Sequence, residues 1–150
     1  MKELKVTPIK NGTVIDHITP GAALKVLHVL KIPDETDNVI SVAMNARGKS
    51  GKKDIVKIEE RELLSKEVDK IALIAPKATI NIIRDYDVVE KRHVKIPDEI
   101  IDIVKCSNPT CVSNFNEPVK SRFIVTNKDP VVIKCYYCER EPEDISDRII

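Results

Sequence analysis

The chain has 150 residues, of which 42% are hydrophobic and 33% are charged, as is typical of soluble globular proteins. Aromatic residues make up only 3%, which argues against a nucleic-acid surface built from stacked aromatic rings. The sequence contains neither a run of about 18 apolar residues nor an apolar leader near Met1. We therefore expect no membrane insertion and no secretion, and we expect a cytoplasmic protein.

Short apolar runs separated by turn residues predict strands and a first helix in the N-terminal part. Asn11-Gly12 is typical of a tight turn between two strands. Thr19 is a suitable N-cap for the helix, Pro20 suits its first position, and Pro33 ends it. Six strands are predicted in this part, at residues 4–9, 14–18, 39–46, 55–59, 79–83 and 88–94.

A second helix and a loop complete the predicted N-terminal fold. Ser65 is expected to cap this helix and Pro76 to close it. Residues 47–53, rich in Gly and Lys, are predicted to form a loop between two strands. The order of elements indicates an α+β class, with an antiparallel sheet and two helices on one face in a ferredoxin-like arrangement.

The pattern breaks around Ile96-Pro97, and all four cysteines lie beyond that point. We therefore predict two domains, residues 1–97 and 98–150. Up to Ile96 there are 18 basic and 14 acidic side chains, whereas the remainder has 7 basic and 10 acidic ones, so the two domains are expected to have different partners. Strands at residues 121–126 and 131–135 predict a small all-β C-terminal domain, which at about fifty residues needs a metal or disulfides to fold well.

The cysteines follow a C-x4-C and C-x2-C spacing, formed by Cys106 with Cys111 and by Cys135 with Cys138. Two such loops can present four thiolates to one tetrahedral zinc ion. The alternatives are ordinary thiols or two disulfides, and the reducing cytoplasm disfavours disulfides. We predict one structural zinc, because four protein ligands leave no position for a reactive water.

Zinc ribbons often bind nucleic acid, so that function is a competing hypothesis. Phosphate-backbone binding requires clustered Lys and Arg, whereas this domain is acidic even before the thiolates are counted. A module that docks on another protein fits the charge better.

Gly48-Lys49-Ser50 is similar to the end of a phosphate-binding P-loop. The full motif needs Gly at position 43, where Ala43 stands, and a following helix, where a strand is predicted. We therefore discard an ATPase of this type.

Lys53 and Lys57 are four residues apart on a predicted strand, so both can point to one face, and Lys91 can join them from the last strand. They can bind nucleotide phosphates or form a solvated surface, and spacing alone leaves both open. The three histidines are scattered without an evident nucleophile, which makes an independent enzyme a weak hypothesis.

Four features of the sequence point to one family: the cysteine spacing and residues 10–18 (KNGTVIDHI), 51–59 (GKKDIVKIE) and 75–86 (APKATINIIRDY). Together they resemble the regulatory chain of aspartate carbamoyltransferase, over nearly the whole sequence. The resemblance implies a non-catalytic subunit with an N-terminal domain that binds ATP and CTP, and a C-terminal zinc domain that docks on a separate catalytic chain. It also implies a homodimer formed through the N-terminal domain, and a role in pyrimidine biosynthesis.

The resemblance further implies a set of nucleotide-binding residues. Lys57 and Lys91 match contacts to phosphate and ribose, Lys53 matches a nearby lysine, and Asp16 and His17 match residues beside ribose and phosphates. The implied wall around base and sugar consists of Val6, Ile9, Ile55, Asn81, Ile83, Tyr86 and Val88. Thr7-Pro8 departs from the family pattern, and Pro8 has no N–H to offer a nucleobase.

Overall fold

The computed structural model describes residues 9–32, 37–49, 51–115, 119–142 and 144–150. The chain divides into two compact units between Val94 and Lys95. Among the described residues, no helix has the length and apolar content that crossing a bilayer requires.

The first unit contains a five-stranded sheet and two helices. Its elements in chain order are β1 (Gly12–Ile18), α1 (Ala23–Val29), β2 (Ile40–Gly48), β3 (Gly51–Glu59), α2 (Ser65–Ile74), β4 (Thr79–Arg84) and β5 (Asp87–His93). The strands lie in the order β2-β3-β1-β4-β5, and every neighbouring pair is antiparallel. The α+β class predicted from the sequence is confirmed.

Alternation along β3 separates a covered face of the sheet from an open one. Asp54, Val56 and Ile58 are buried, whereas Lys53 and Lys57 between and beside them are half-exposed. Helix α1 packs against both β3 and α2, which explains the burial. The core on this side is apolar and includes Ile15, Val26, Val56, Ile58, Ile71 and Ile80.

Both predicted helix starts are wrong by one to three residues. Helix α1 begins at Ala23 rather than at Pro20. The N–H of Ala23 and that of Gly21 in the preceding turn donate to the buried Asp54 carboxylate, so Thr19 is not its cap. Helix α2 has Leu64 at the N-cap, and Ser65 is its first helical residue. The Leu64 N–H donates to the Glu67 carboxylate at 3.0 Å, which fixes this start.

The predicted loop at residues 47–53 is also wrong, because β2 and β3 extend far into it. Gly48 pairs with Gly51 at the end of a tight hairpin. Gly51 has φ +107°, a backbone conformation that side chains with a β-carbon rarely adopt. The predicted strand at residues 4–9 lies outside the described residues except for Ile9. Pro33, predicted to end the first helix, also lies outside them.

The second unit is a three-stranded antiparallel sheet with short helical segments. Strands β6 (Glu99–Ile101), β7 (Arg122–Lys128) and β8 (Val131–Cys135) lie in that order, and a 3-10 turn at Val112–Asn114 and α3 (Ile145–Arg148) complete it. Phe123 is the largest fully buried side chain, with Ile100, Val104 and Ile133 also buried. Ile149 bridges to Val104, so the acidic tail packs back beside the cysteine region.

Candidate metal centre and lysine surface

The four cysteines converge in the second unit although they come from two distant loops. Cys106 follows β6 and Cys111 precedes the 3-10 turn, while Cys135 ends β8 and Cys138 lies in the turn after it. Their four sulfur atoms all lie within 4.8 Å of one another. The fold therefore brings the four predicted ligands together.

The sulfur separations suit a tetrahedral ion. The Cys106 and Cys138 sulfurs are 3.5 Å apart, and those of Cys111 and Cys135 are 3.7 Å apart. Zinc–sulfur bonds of about 2.3 Å in a tetrahedron put the sulfurs about 3.8 Å apart. All four residues are free thiols rather than disulfides, so the residues present fit a structural zinc, and no protein ligand is missing.

Backbone amides point at the sulfurs and favour the thiolate form that a metal needs. The N–H of Asn108 donates to Cys106, those of Tyr137 and Cys138 donate to Cys135, and that of Arg140 donates to Cys138. Burial is nevertheless the largest influence on Cys106 and raises its pKa to about 12. A metal must therefore displace protons to bind.

Asn114 supports the first cysteine loop and is a residue that sequence reasoning missed. Its amide group donates to the carbonyl oxygens of Cys106 at 3.0 Å and Asn108 at 2.7 Å. These bonds hold the C-x4-C loop closed around the metal position. The only sequence signal is an amide side chain three residues after Cys111, which is too common to identify such a role.

The open face of the first unit brings Lys57 and Lys91 into one row. Strand register pairs Lys57 with Val14, Val14 with Asn81, and Asn81 with Lys91. Residues paired directly across antiparallel strands point to the same face. The two predicted lysines therefore lie on one surface, with Asn81 and Val14 between them.

Lys57 is a partly desolvated cation. Burial lowers the pKa of its ammonium group, and the charge of the Asp16 carboxylate offsets part of that lowering. A cation that has lost part of its water shell interacts more strongly with an added anion than a fully hydrated one does.

Asp16, His17 and Lys53 cluster at one end of this row. The Lys53 ammonium lies 2.9 Å and 3.1 Å from the two Asp16 carboxylate oxygens. The backbone N–H of His17 donates to the Asp16 carboxylate at 2.6 Å, and the Nδ1 atom of the His17 ring lies 3.2 Å from the Thr79 hydroxyl. Three of the predicted residues thus form one hydrogen-bonded group, to which the structure adds Thr79.

The residues predicted to form the wall around base and sugar lie in two separate places on the open face. Ile83 pairs with Val88 beyond the lysine row, and Tyr86 follows in the adjoining turn, where its N–H donates to the Lys10 carbonyl. Ile55 lies instead between Lys53 and Lys57 on β3. Ile9 is buried, and Val6, Thr7 and Pro8 lie outside the described residues.

Comparison with known proteins gives two consecutive family matches and close relatives. Residues 4–95 match the allosteric domain of the aspartate carbamoyltransferase regulatory chain, and residues 98–146 match the metal binding domain of that chain. Regulatory chains from Methanosphaera stadtmanae and Methanothrix thermoacetophila are 56% and 58% identical, covering 94% and 93% of this chain and 92% and 91% of those proteins. The Thermococcus sibiricus regulatory chain is 55% identical over 96% of this chain and 95% of its own. The chain belongs to the family of aspartate carbamoyltransferase regulatory chains, the non-catalytic subunits of that enzyme.

Proposed function

We propose that the chain binds ATP and CTP on the open face of its five-stranded sheet and passes the effect to the catalytic chain of aspartate carbamoyltransferase. Residues 1–97 supply the effector site, and residues 98–150 form the zinc domain that docks on the catalytic chain. The row that joins Lys57, Asn81 and Lys91 carries this proposal. Four reduced thiols gathered for a metal suit a cytoplasmic protein.

The open face has the length and the chemistry for a nucleotide. Two residues along a strand cover about 6.6 Å, so the step from Ile83 through the lysine row to Asp16 spans about 13 Å. The apolar pair Ile83 and Val88 suits the base, and the lysine row suits ribose and phosphates. Lys53 and His17 lie at the far end, where terminal phosphate oxygens can meet them.

Equilibrium dialysis with CTP tests the effector site on the intact chain. Lys57→Ala and Lys91→Ala each remove one cation from the row, and we expect each to weaken binding about tenfold or more, because a charge-assisted contact is lost. Lys25→Ala is the matched control, because Lys25 is exposed on α1, which covers the other face. Absence of CTP binding by the wild type, or unchanged binding in Lys57→Ala, would refute the site.

Exposed aromatic residues beside the cysteines support docking of the second unit on the catalytic chain. Tyr136 and Tyr137 lie within the C-x2-C loop and are 52% and 39% exposed, and Phe115, just after the C-x4-C loop, is 55% exposed. Aromatic side chains are enriched at protein interfaces. The metal holds both loops, so removing it with a chelator should release the catalytic chain while the first unit keeps binding CTP. Persistence of the complex after chelation would contradict this role.

The free edge of the sheet supports a homodimer through the first unit. Strand β2 has β3 as its only neighbour among the described strands, and its segment exposes Val39, Val42 and Met44. An apolar open edge of this kind is a template for pairing with a second copy. Light scattering of Val42→Lys should show a shift from dimer to monomer, whereas an unchanged mass would place the dimer contact elsewhere.

Coupling between effector and catalytic chain is expected at about 1–3 kcal/mol, or about 5- to 150-fold in affinity. Linkage requires that a substrate analogue on the catalytic chain change CTP affinity by the same factor. The reconstituted complex tests this directly, by dialysis of CTP with and without that analogue. Equal CTP affinity in both conditions would remove the allosteric part of the proposal.

A further inference from the structure

Asp54 is a fully buried carboxylate on β3, with 0% of the residue exposed. It accepts three backbone hydrogen bonds: from the Asn45 N–H at 2.8 Å on one oxygen, and from the N–H groups of Gly21 and Ala23 at 2.8 Å and 3.2 Å on the other. Burying a charge is unfavourable unless strong hydrogen bonds compensate for lost water. This carboxylate therefore holds its three partners firmly.

Each partner lies where the chain departs from regular geometry. Asn45 has φ +58° and sits at an irregularity of the β2–β3 pairing. Gly21 has φ +89° in the turn after β1, and Ala23 is the first residue of α1. Asp54 thus ties an edge strand, a turn and a helix start to one point of β3.

Asp54 lies on the covered side of β3, opposite the end of the open face where we propose that phosphates bind. Lys53 precedes Asp54 and points to the opposite face, where it pairs with Asp16. On β1, the pairing shifts between Ile15 and Ile18, and Ile18 lies opposite Asp54. Asp16 and His17 lie between these two pairs, where the register shifts. Asp54 therefore fixes β3, which carries Lys53, and the end of β1, which carries Asp16 and His17.

We propose that Asp54 is a positioning residue for the effector site, holding Lys53, Asp16 and His17 in their mutual arrangement and linking them to edge strand β2 through Asn45. The inference rests on the proposed effector function of the open face. Asp54 itself makes no contact with the nucleotide, because its side chain lies on the covered side of the sheet.

Asp54→Asn tests the role with little change of shape. The amide nitrogen cannot accept hydrogen bonds, so at least one of the three backbone contacts is lost. Glu67→Gln is the matched control: it makes the same chemical change at a largely buried carboxylate that accepts from Leu64 and pairs with Arg61. We expect CTP dissociation constants to rise about tenfold for Asp54→Asn and to stay within about twofold for Glu67→Gln. Thermal unfolding of both variants shows whether they have lost similar stability.

Hydrogen exchange on the wild type gives a readout that a purely structural role would not change. CTP should slow exchange of the Asn45, Gly21 and Ala23 amides several-fold more than that of the Ala75 amide, which bonds to Ile71 at the C-cap of α2 and responds only to the overall stabilisation by bound ligand. This measurement decides the question even if Asp54→Asn does not fold.

The outcomes separate the two proposals. A folded Asp54→Asn variant with wild-type CTP affinity, or exchange at the three amides that CTP slows no more than exchange at Ala75, overturns the positioning role and leaves the effector site standing. Failure of the wild-type chain to bind CTP overturns the effector site, and the positioning role with it.

Discussion

Zinc affinity should depend steeply on pH, because the metal binds thiolates and at least two thiols hold their protons in the metal-free fold. Burial raises the pKa of Cys106 to about 12, and it also raises the pKa of Cys135. Both groups are protonated at neutral pH, so zinc must displace at least two protons. Each unit of pH decrease therefore weakens binding at least about 100-fold, from about 1.36 kcal/mol for each proton.

Cys138 makes the dependence steeper below neutral pH. Burial raises its pKa, but the Arg140 backbone N–H and hydrogen bonds with neighbouring side chains outweigh burial and lower the pKa to about 7. Above pH 7 this thiol has already lost its proton, whereas below pH 7 zinc must displace this proton as well. The dependence should steepen there by about a further tenfold per unit.

Competition with a chromophoric chelator between pH 6 and 8 measures this dependence, after correction for the chelator's own protonation. Cys138→Ser is the matched control, since it binds zinc more weakly but has no thiol to titrate near pH 7, so its slope should stay constant. A wild-type slope below two protons per pH unit above pH 7 would refute the reasoning about Cys106 and Cys135. A slope that does not steepen below pH 7 would refute it for Cys138.

Three substitutions give further expected outcomes. Gly12→Ala should destabilise the first unit by at least about 2 kcal/mol in urea unfolding, because Gly12 has φ +145° and a β-carbon there would lie 2.1 Å from the Ile58 carbonyl oxygen. Phe123→Ala should cost the second unit about 3–5 kcal/mol by the same measurement, through a cavity at its largest buried side chain. Arg122→Met removes a guanidinium that lies 4.2 Å from the ring centre of Tyr136, one of the residues proposed to dock on the catalytic chain. Surface plasmon resonance should therefore show about two- to fivefold weaker binding to that chain, or about 0.5–1 kcal/mol. Unchanged values in any of these assays would contradict the corresponding contact.

The metal centre was largely predictable because its signal is local. The spacing of the four cysteines requires only that two short loops meet, and the fold brings the sulfurs within 4.8 Å. The supporting contacts were not predictable, because the amides that point at the sulfurs depend on the backbone path. Asn114 has a role only because the 3-10 turn directs its amide toward the Cys106 carbonyl.

The lysine surface was predictable only in part, because strand alternation breaks at irregularities. Alternation correctly put Lys53 and Lys57 on one face of β3. Val88 and Lys91 are three residues apart, so alternation assigns them to opposite faces, yet Val88 pairs with Ile83 and Lys91 with Asn81 across a register shift. No sequence pattern specifies where such a shift occurs.

The errors at the start of α1 have the same origin in long-range structure. Thr19 and Pro20 are good local signals for a helix N-terminus. The fold instead satisfies the N–H groups of Gly21, just before α1, and of Ala23, its first residue, with Asp54, a residue more than thirty positions away. A charged residue in the middle of an alternating strand was the only hint in the sequence.

Among the described strands, β5 lies at an edge of the sheet with β4 as its neighbour, and all seven of its residues are exposed. Segments of this kind fray, opening locally at a smaller free energy than the sheet as a whole. Lys91 lies on β5, whereas Lys57 and Asn81 lie on interior strands. A ligand that bridges them, such as the proposed effector, would tie β5 to the interior of the sheet. The rate at which β5 opens should then report binding of that ligand.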